Sequence, residues 1–240
     1  MRFFNMSLRV KVYSDGADRA SMLSMAQDER VHGLTTNPSL MKKAGVSDYV
    51  GFCKDILSQI RNKPISLEVF ADDLNEMRRQ ALEIKTWGEN VYVKIPVTNS
   101  DGKPTTDLVH ELAHQGVKLN VTALFTLNQI FSVCQALKGG APSVVSVFAG
   151  RIADTGRDPI PTMKAALEMC RSMDKNMELL WASTRELYNI VQADQIGCDI
   201  ITVPFDLIKK MPMLGQDLVE MSLDTVKTFK KDADSAGFKL

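Results

Sequence analysis

Short apolar runs and longer amphipathic stretches alternate along this 240-residue chain. The runs lie at 9–15, 33–37, 65–70, 91–97, 118–124, 143–149, 177–183 and 199–204. Each has the length of a buried strand. Between them, 17–31, 48–61, 72–87, 105–115, 126–137, 161–173 and 185–195 carry apolar residues at helical spacing. A last helix is predicted over about 216–233, after a short turn at 205–211. Asp72-Asp73 and Thr105-Thr106 offer N-cap oxygens, and Gly88, Gly116, Gly139 and Gly197 stand where helices should stop. Repeated strand–helix alternation without a break in composition predicts a parallel sheet. Eight strands also close a barrel of about 250 residues. The expected architecture is α/β: one (β/α)8 TIM barrel domain over 1–240 with an extra C-terminal helix. An open, doubly wound sheet would show the same alternation.

Strand residues alternate faces, so each run can be divided into a wall side and an interior side. In 91–97 the odd positions Val91, Val93, Ile95 and Val97 are apolar and face the helices, which turns Lys94 inward. The same parity turns Glu68 inward opposite Leu67 and Val69, and Asp15 inward opposite Val10 and Val12. Asn120 and Thr122 fall opposite Leu119 and Val121, and Ser146 and Phe148 opposite Val145 and Val147. In 177–183, Leu180 and Ala182 are expected on the wall and Ser183 inside. An unpartnered buried polar group costs roughly 1–3 kcal/mol. A purely structural interior would therefore favour branched apolar residues at these positions. Barrel enzymes draw catalytic groups from the C-terminal ends of several strands. The competing reading is a buried ion-pair network around Lys94.

Burial disfavours the charged form of an amine, and a neutral amine can attack a ketone to form an imine. The protonated imine is an electron sink that permits cleavage between C3 and C4 of a ketose without a metal or other cofactor. Asp15 and Glu68, on other strands, supply two separate proton carriers. Asn37, Asn120, Thr122 and Ser146 suit sugar hydroxyls. Arg151 and Arg185 follow two adjacent strands, with Ser183 beside them. Paired arginines there suit a phosphate.

Composition narrows the partners. Lys+Arg and Asp+Glu both number 29, so no basic excess points to nucleic acid or a membrane surface. Cys53, Cys134, Cys170 and Cys198 are widely spaced in sequence and form no CxxC pair, which predicts reduced thiols rather than a disulfide framework. With no apolar run of membrane-spanning length and no leader pattern, a cytoplasmic protein is expected. His110-Glu111-Leu112-Ala113-His114 matches HExxH, but on an outer helix with no third ligand following, so no metal site is expected.

Gly33-Leu34-Thr35-Thr36-Asn37-Pro38-Ser39-Leu40 resembles the TTNPS signature of transaldolases. Residues 91–97, VYVKIPV, resemble the strand that carries their Schiff-base lysine. Residues 120–125, 146–152 and 181–185 are similar to three further family segments. The resemblance implies that Lys94 is the Schiff-base nucleophile and Asp15 the acid/base at the C4 hydroxyl. It implies that Glu68 acts through a water held by Thr122. Asn37, Asn120 and Ser146 would contact the donor's hydroxyls, and Arg151, Ser183 and Arg185 the phosphate. The implied reaction moves a dihydroxyacetone unit from a ketose phosphate to an aldose phosphate. The length resembles the compact subfamily, which also contains fructose-6-phosphate aldolases and assembles as homo-oligomeric pentamers or decamers. The aldolase members carry Gln and Tyr where this chain has Glu68 and Phe148, which favours transfer. The first strand, Tyr13-Ser14-Asp15-Gly16-Ala17-Asp18, departs from the subfamily's usual LDT-like run and leaves Asp18 as a competitor to Asp15.

Overall fold

A computed structural model of the protein describes residues 8–239. Residues 8–208 form one compact unit and residues 209–239 belong to a second. The larger unit is a closed, all-parallel barrel in which β1 (Lys11–Asp15), β2 (Val31–Thr35), β3 (Ile65–Glu68), β4 (Val91–Pro96), β5 (Leu119–Leu124), β6 (Ser143–Val147), β7 (Met177–Trp181) and β8 (Ile200–Pro204) pair in chain order and β8 returns to β1. This excludes the open sheet. Helices α1 (Arg19–Gln27), α2 (Pro38–Lys43), α3 (Tyr49–Gln59), α4 (Leu74–Lys85), α5 (Thr106–His114), α6 (Leu127–Leu137), α7 (Ala149–Asp154), α8 (Ile160–Met173), α9 (Tyr188–Ile196) and α10 (Phe205–Ile208) connect or follow the strands. The second unit holds a 3-10 turn, Met211–Met213, and α11 (Leu218–Ala236). Asp217 caps α11 at its start and Gly237, left-handed at φ 66°, at its end. Among the described residues no helix is long and apolar enough to cross a membrane.

The local chemistry accounts for the boundaries. Asp18, Asn37, Asp48, Asp73 and Thr126 accept main-chain N–H groups at the starts of α1, α2, α3, α4 and α6. Thr105 instead donates to Pro96 O at 2.6 Å and ties the loop to the end of β4. The short helices α2 and α7, absent from the sequence reading, occupy strand-following loops too brief to show a period.

The wall between sheet and helices is apolar: Val12, Leu67, Val93, Ile95, Leu119, Val121, Val145, Val147 and Ile201 are essentially inaccessible. Each such side chain contributes roughly 1.5–3 kcal/mol by leaving water. Inside the barrel, Tyr13, Val144, Leu180, Ala182 and Ile200 cluster, with Tyr92 and Phe148 packed against them. Below this plug, at the N-terminal end of the strands, Lys11 pairs with Glu178. Gly33 lies under the Tyr13 ring, which an added Cβ would meet at 2.6 Å.

This inner cluster corrects the expectation for β7. Leu180 and Ala182 face the interior, and the fully buried Trp181 takes the wall. The run is apolar on both sides, so period alone could not orient it. Glu178, drawn inward by Lys11, sets the phase. The cysteines also differ from their sequence spacing: Cys134 on α6 and Cys170 on α8 bring their sulfurs within 3.8 Å, though all four cysteines are free thiols.

Candidate active site

A cavity of about 250 Å³ opens above the inner plug, at the C-terminal ends of the strands. Asp15, Asn37, Glu68, Lys94, Asn120, Thr122, Ser146, Phe148, Arg151 and Ser183 all line it, with Thr35 and Thr202 among the others. Every sequence-expected site residue is therefore brought together except Arg185. The register explains the convergence, since Glu68 is level with Lys94, Lys94 with Asn120, and Pro96 with Thr122 on neighbouring strands.

Lys94 is only 7% exposed. Its Nζ donates to the Thr36 carbonyl at 2.7 Å and lies 3.3 Å from Glu68 Oε2. Glu68 is held from behind: the Tyr49 hydroxyl donates to Glu68 O at 2.8 Å and accepts from Glu68 N at 3.0 Å. The Tyr49 ring packs edge-on against Phe70 and tilted against Trp87. Asn120 Nδ2 donates to Ser66 Oγ at 3.0 Å. Glu68 Oε2, Asn120 Oδ1 and Thr122 Oγ1 are buried without a hydrogen bond in the protein. A folded chain seldom leaves buried polar atoms so. Of the four such side-chain atoms among the described residues, these three belong to residues that line one cavity and are available to a ligand or a water, while the fourth, Trp181 Nε1, lies on the barrel wall.

Asp15 and Asp18 separate clearly. Asp18 is exposed and caps α1, accepting from Ser21 N at 2.8 Å. Asp15 lines the cavity and accepts from Thr35 Oγ1 at 2.8 Å. Burial pushes the Asp15 carboxyl above its ordinary range, while Lys94 and the Thr35 hydrogen bond oppose that rise. The folded state thus binds the Asp15 proton more tightly than the unfolded chain does. Asp15's contribution to stability is fully present below the ordinary carboxylate range and is lost as pH rises through the raised value. Asp15→Asn, which keeps an acceptor for Thr35, should raise the melting temperature at about pH 7 and lose that advantage near pH 4. Thermal melts at the two pH values check this. An equal difference at both would show that Asp15 is not protonated preferentially in the fold.

The arginines behave differently from each other. Arg151, on α7, lines the cavity with its guanidinium 5.1 Å from the centre of the Phe148 ring. Arg185 does not line the cavity. Its Nη2 and Nε meet the Asp154 carboxylate at 2.5 Å and 3.0 Å in an exposed pair. This pair holds the Asp154 carboxyl below its usual range, and Arg151 adds to the effect. A carboxylate one turn beyond Arg151 could not be assigned to Arg185 before the loops were placed.

Ser183 sits just past β7 with φ 63°, and Ala123 at the β5 bulge with φ 61°. Non-glycine residues in this region are uncommon and concentrate at functional sites. Sequence reasoning missed Thr35 and Thr202 as contributors; alternation along 199–204 was the available signal for Thr202. The HExxH residues are elsewhere, on α5. Each imidazole Nδ1 faces a main-chain carbonyl, and Glu111 is held by Arg78. No group of three or more metal-ligating side chains occurs among the described residues.

A closed barrel with a buried lysine beside Glu68, and Asp15 on the same cavity lining at the C-terminal mouth, has the layout of the barrel enzymes. Residues 12–240 match the family described as Transaldolase/Fructose-6-phosphate aldolase, and the chain belongs to that family. A protein of Thermoanaerobacter sp. (strain X514) named "Probable transaldolase" is 35% identical over 210 residues, 88% of this chain and 90% of that one. One of the same name from Methanococcus maripaludis (strain C5 / ATCC BAA-1333) is 38% identical over 181 residues, 75% of this chain and 80% of its own. A solved structure described as "Crystal structure of a putative lyase/mutase from Burkholderia cenocepacia J2315" shares the fold alone, with a TM-score of 0.59 at 11% identity, over 97% of this chain and 86% of that one.

Proposed function

We propose that the protein is a transaldolase that moves a dihydroxyacetone unit between sugar phosphates through a Schiff base on Lys94. The observation that carries this reading is the Lys94 amine, buried beside Glu68 at the cavity with Asp15 on the same lining and three polar atoms awaiting partners.

The Lys94 amine, once neutral, attacks C2 of the ketose. The carbinolamine loses water to give the protonated imine. Glu68, with a water against Thr122 Oγ1, carries the protons of this step. Asp15 then takes the C4 hydroxyl proton, the C3–C4 bond breaks, and its electron pair moves into the imine to leave an enamine. The aldose phosphate departs. A second aldehyde accepts the enamine carbon, Asp15 returns its proton, and water releases the product from Lys94. Asn37, Asn120 and Ser146 hold the donor's hydroxyls. Arg151 and Ser183 receive the phosphate, and Arg185 joins them by exchanging Asp154 for the incoming anion.

Transfer is favoured over release of free dihydroxyacetone because Phe148 offers no hydroxyl to protonate the enamine. Phe148→Tyr should raise release from fructose 6-phosphate alone several-fold while lowering transfer to erythrose 4-phosphate. Assay of dihydroxyacetone with and without acceptor checks this, and full-rate release by the unmodified protein without acceptor would assign it as an aldolase. The reading itself is tested by borohydride reduction in the presence of fructose 6-phosphate followed by peptide mass analysis. The adduct is expected on Lys94, and its absence would refute the Schiff base.

A further inference from the structure

Two threonine hydroxyls stand in line behind Asp15. Thr35 Oγ1 donates to Asp15 Oδ1 at 2.8 Å and lies 2.5 Å from Thr202 Oγ1. A hydroxyl carries one proton and two acceptor sites. While Asp15 is ionised, the Thr35 proton is committed to the carboxylate, so Thr202 must be the donor between the two threonines. The chain then runs Thr202 to Thr35 to Asp15, and each bond strengthens the next.

The fold holds both ends of this chain. Thr202 is level with Tyr13 across the β1–β8 pairing, and Thr35 is level with Asp15 across β1–β2. The main-chain oxygen of Thr202 accepts from Thr184 Oγ1 at 2.7 Å, which anchors β8 to the loop after β7. Thr202 is buried yet borders the cavity. The charged groups on the same lining are Lys94, Glu68 and Arg151. Of these, Lys94 acts on the Asp15 charge.

We propose that Thr202 is a positioning residue that acts through Thr35 to orient the Asp15 carboxylate and keep it ionised for proton removal from the substrate. The proposal rests on the reading of Asp15 as the base at the C4 hydroxyl. When Asp15 gains that proton, its new O–H donates to Thr35, Thr35 donates to Thr202, and the Thr202 proton turns into the cavity. The two hydroxyls rotate, no bond within them breaks, and Asp15 holds the one proton transferred. The chain thereby has two orientations that follow the charge of Asp15.

The experiment uses Thr202→Val, Thr202→Ala and Thr202→Ser in the full chain, with fructose 6-phosphate as donor and erythrose 4-phosphate as acceptor. Loss of the hydroxyl weakens the stabilisation of the carboxylate, so the acid limb of kcat/KM should move to higher pH. The bond removed joins two neutral hydroxyls and reaches the carboxylate only through Thr35, so kcat should fall roughly threefold to tenfold. The donor KM should stay within about twofold, because no substrate contact is removed. Thr202→Ser should recover most of kcat and the original limb, which a merely structural threonine would not explain. Thr202→Ala serves if the valine variant does not fold. Wild-type protein that forms the Lys94 borohydride adduct, with hydroxyl-free variants of unchanged kcat and acid limb, would overturn the proposal alone. No adduct in the wild type would overturn the Schiff-base reading, and this proposal with it.

Discussion

Lys94→Met is expected to lose on the order of 10⁴- to 10⁶-fold in turnover, the scale on which removal of a covalent nucleophile acts. The methionine fills much of the lysine stem's volume, so the barrel should still close. Stability will nevertheless fall at neutral pH. The ammonium now satisfies the Thr36 carbonyl and faces Glu68 Oε2, an atom without a hydrogen bond of its own. With the ammonium gone, a carboxylate only 15% exposed faces an apolar neighbour. Breaking a buried pair by removing one partner costs about 3–5 kcal/mol. Lys94→Met with Glu68→Gln should regain much of that stability but none of the activity. Steady-state assays and denaturant unfolding of the single and double variants separate the two effects. Turnover within tenfold of wild type would eliminate Lys94 as the nucleophile, whatever the stability showed.

Gly150→Ala should be the most damaging small substitution near the cavity. Gly150 is the second residue of α7, and its N–H donates to Ala182 O at 3.2 Å. A Cβ there would lie 1.6 Å from Ser183 O, a main-chain atom with no rotamer to escape by. The loops after β6 and β7 must separate by well over an ångström to admit one methyl group. Overpacking of this kind costs about 1–3 kcal/mol when neighbours can adjust, and more when they cannot. The displaced segment also carries Ser183, held at positive φ, and Arg185 beyond it. The expected result is a fall of several degrees in melting temperature, together with a raised KM for phosphorylated donors and little change for an unphosphorylated ketose. An alanine variant with wild-type melting and kinetics would show that the two loops are not held as close as described.

The sequence shows eight strand–helix alternations because each strand is brief and each alternation complete, but closure into a barrel rests on the β8–β1 pairing. Its parity oriented β1, β3, β4, β5 and β6 wherever polar and apolar residues truly alternate. The polar lining of the cavity was legible for the same reason: a lysine or glutamate at an interior phase is conspicuous against valine and isoleucine. Parity could not orient β7 and the residue after it, where Leu179, Leu180, Trp181 and Ala182 are apolar on both faces. It could not see α2 and α7, which span six residues each and complete too few turns to print a period. It also left Asp15 and Asp18 as rivals, because one strand end and one helix cap lie three residues apart and both accept carboxylates.

What the chain determined by itself was the list of strands, the inward polar groups that line the cavity and the family to which it belongs. These follow from local spacing and residue type, which need no long-range information. Only the tertiary structure decided which groups meet. Closure of β8 onto β1 brought Thr202 to Thr35, separated by 167 positions in sequence. The loops after β6 and β7 gave Arg185 to Asp154 and Arg151 to the cavity. Such pairings depend on the path of the whole barrel, and no window of neighbouring residues contains it.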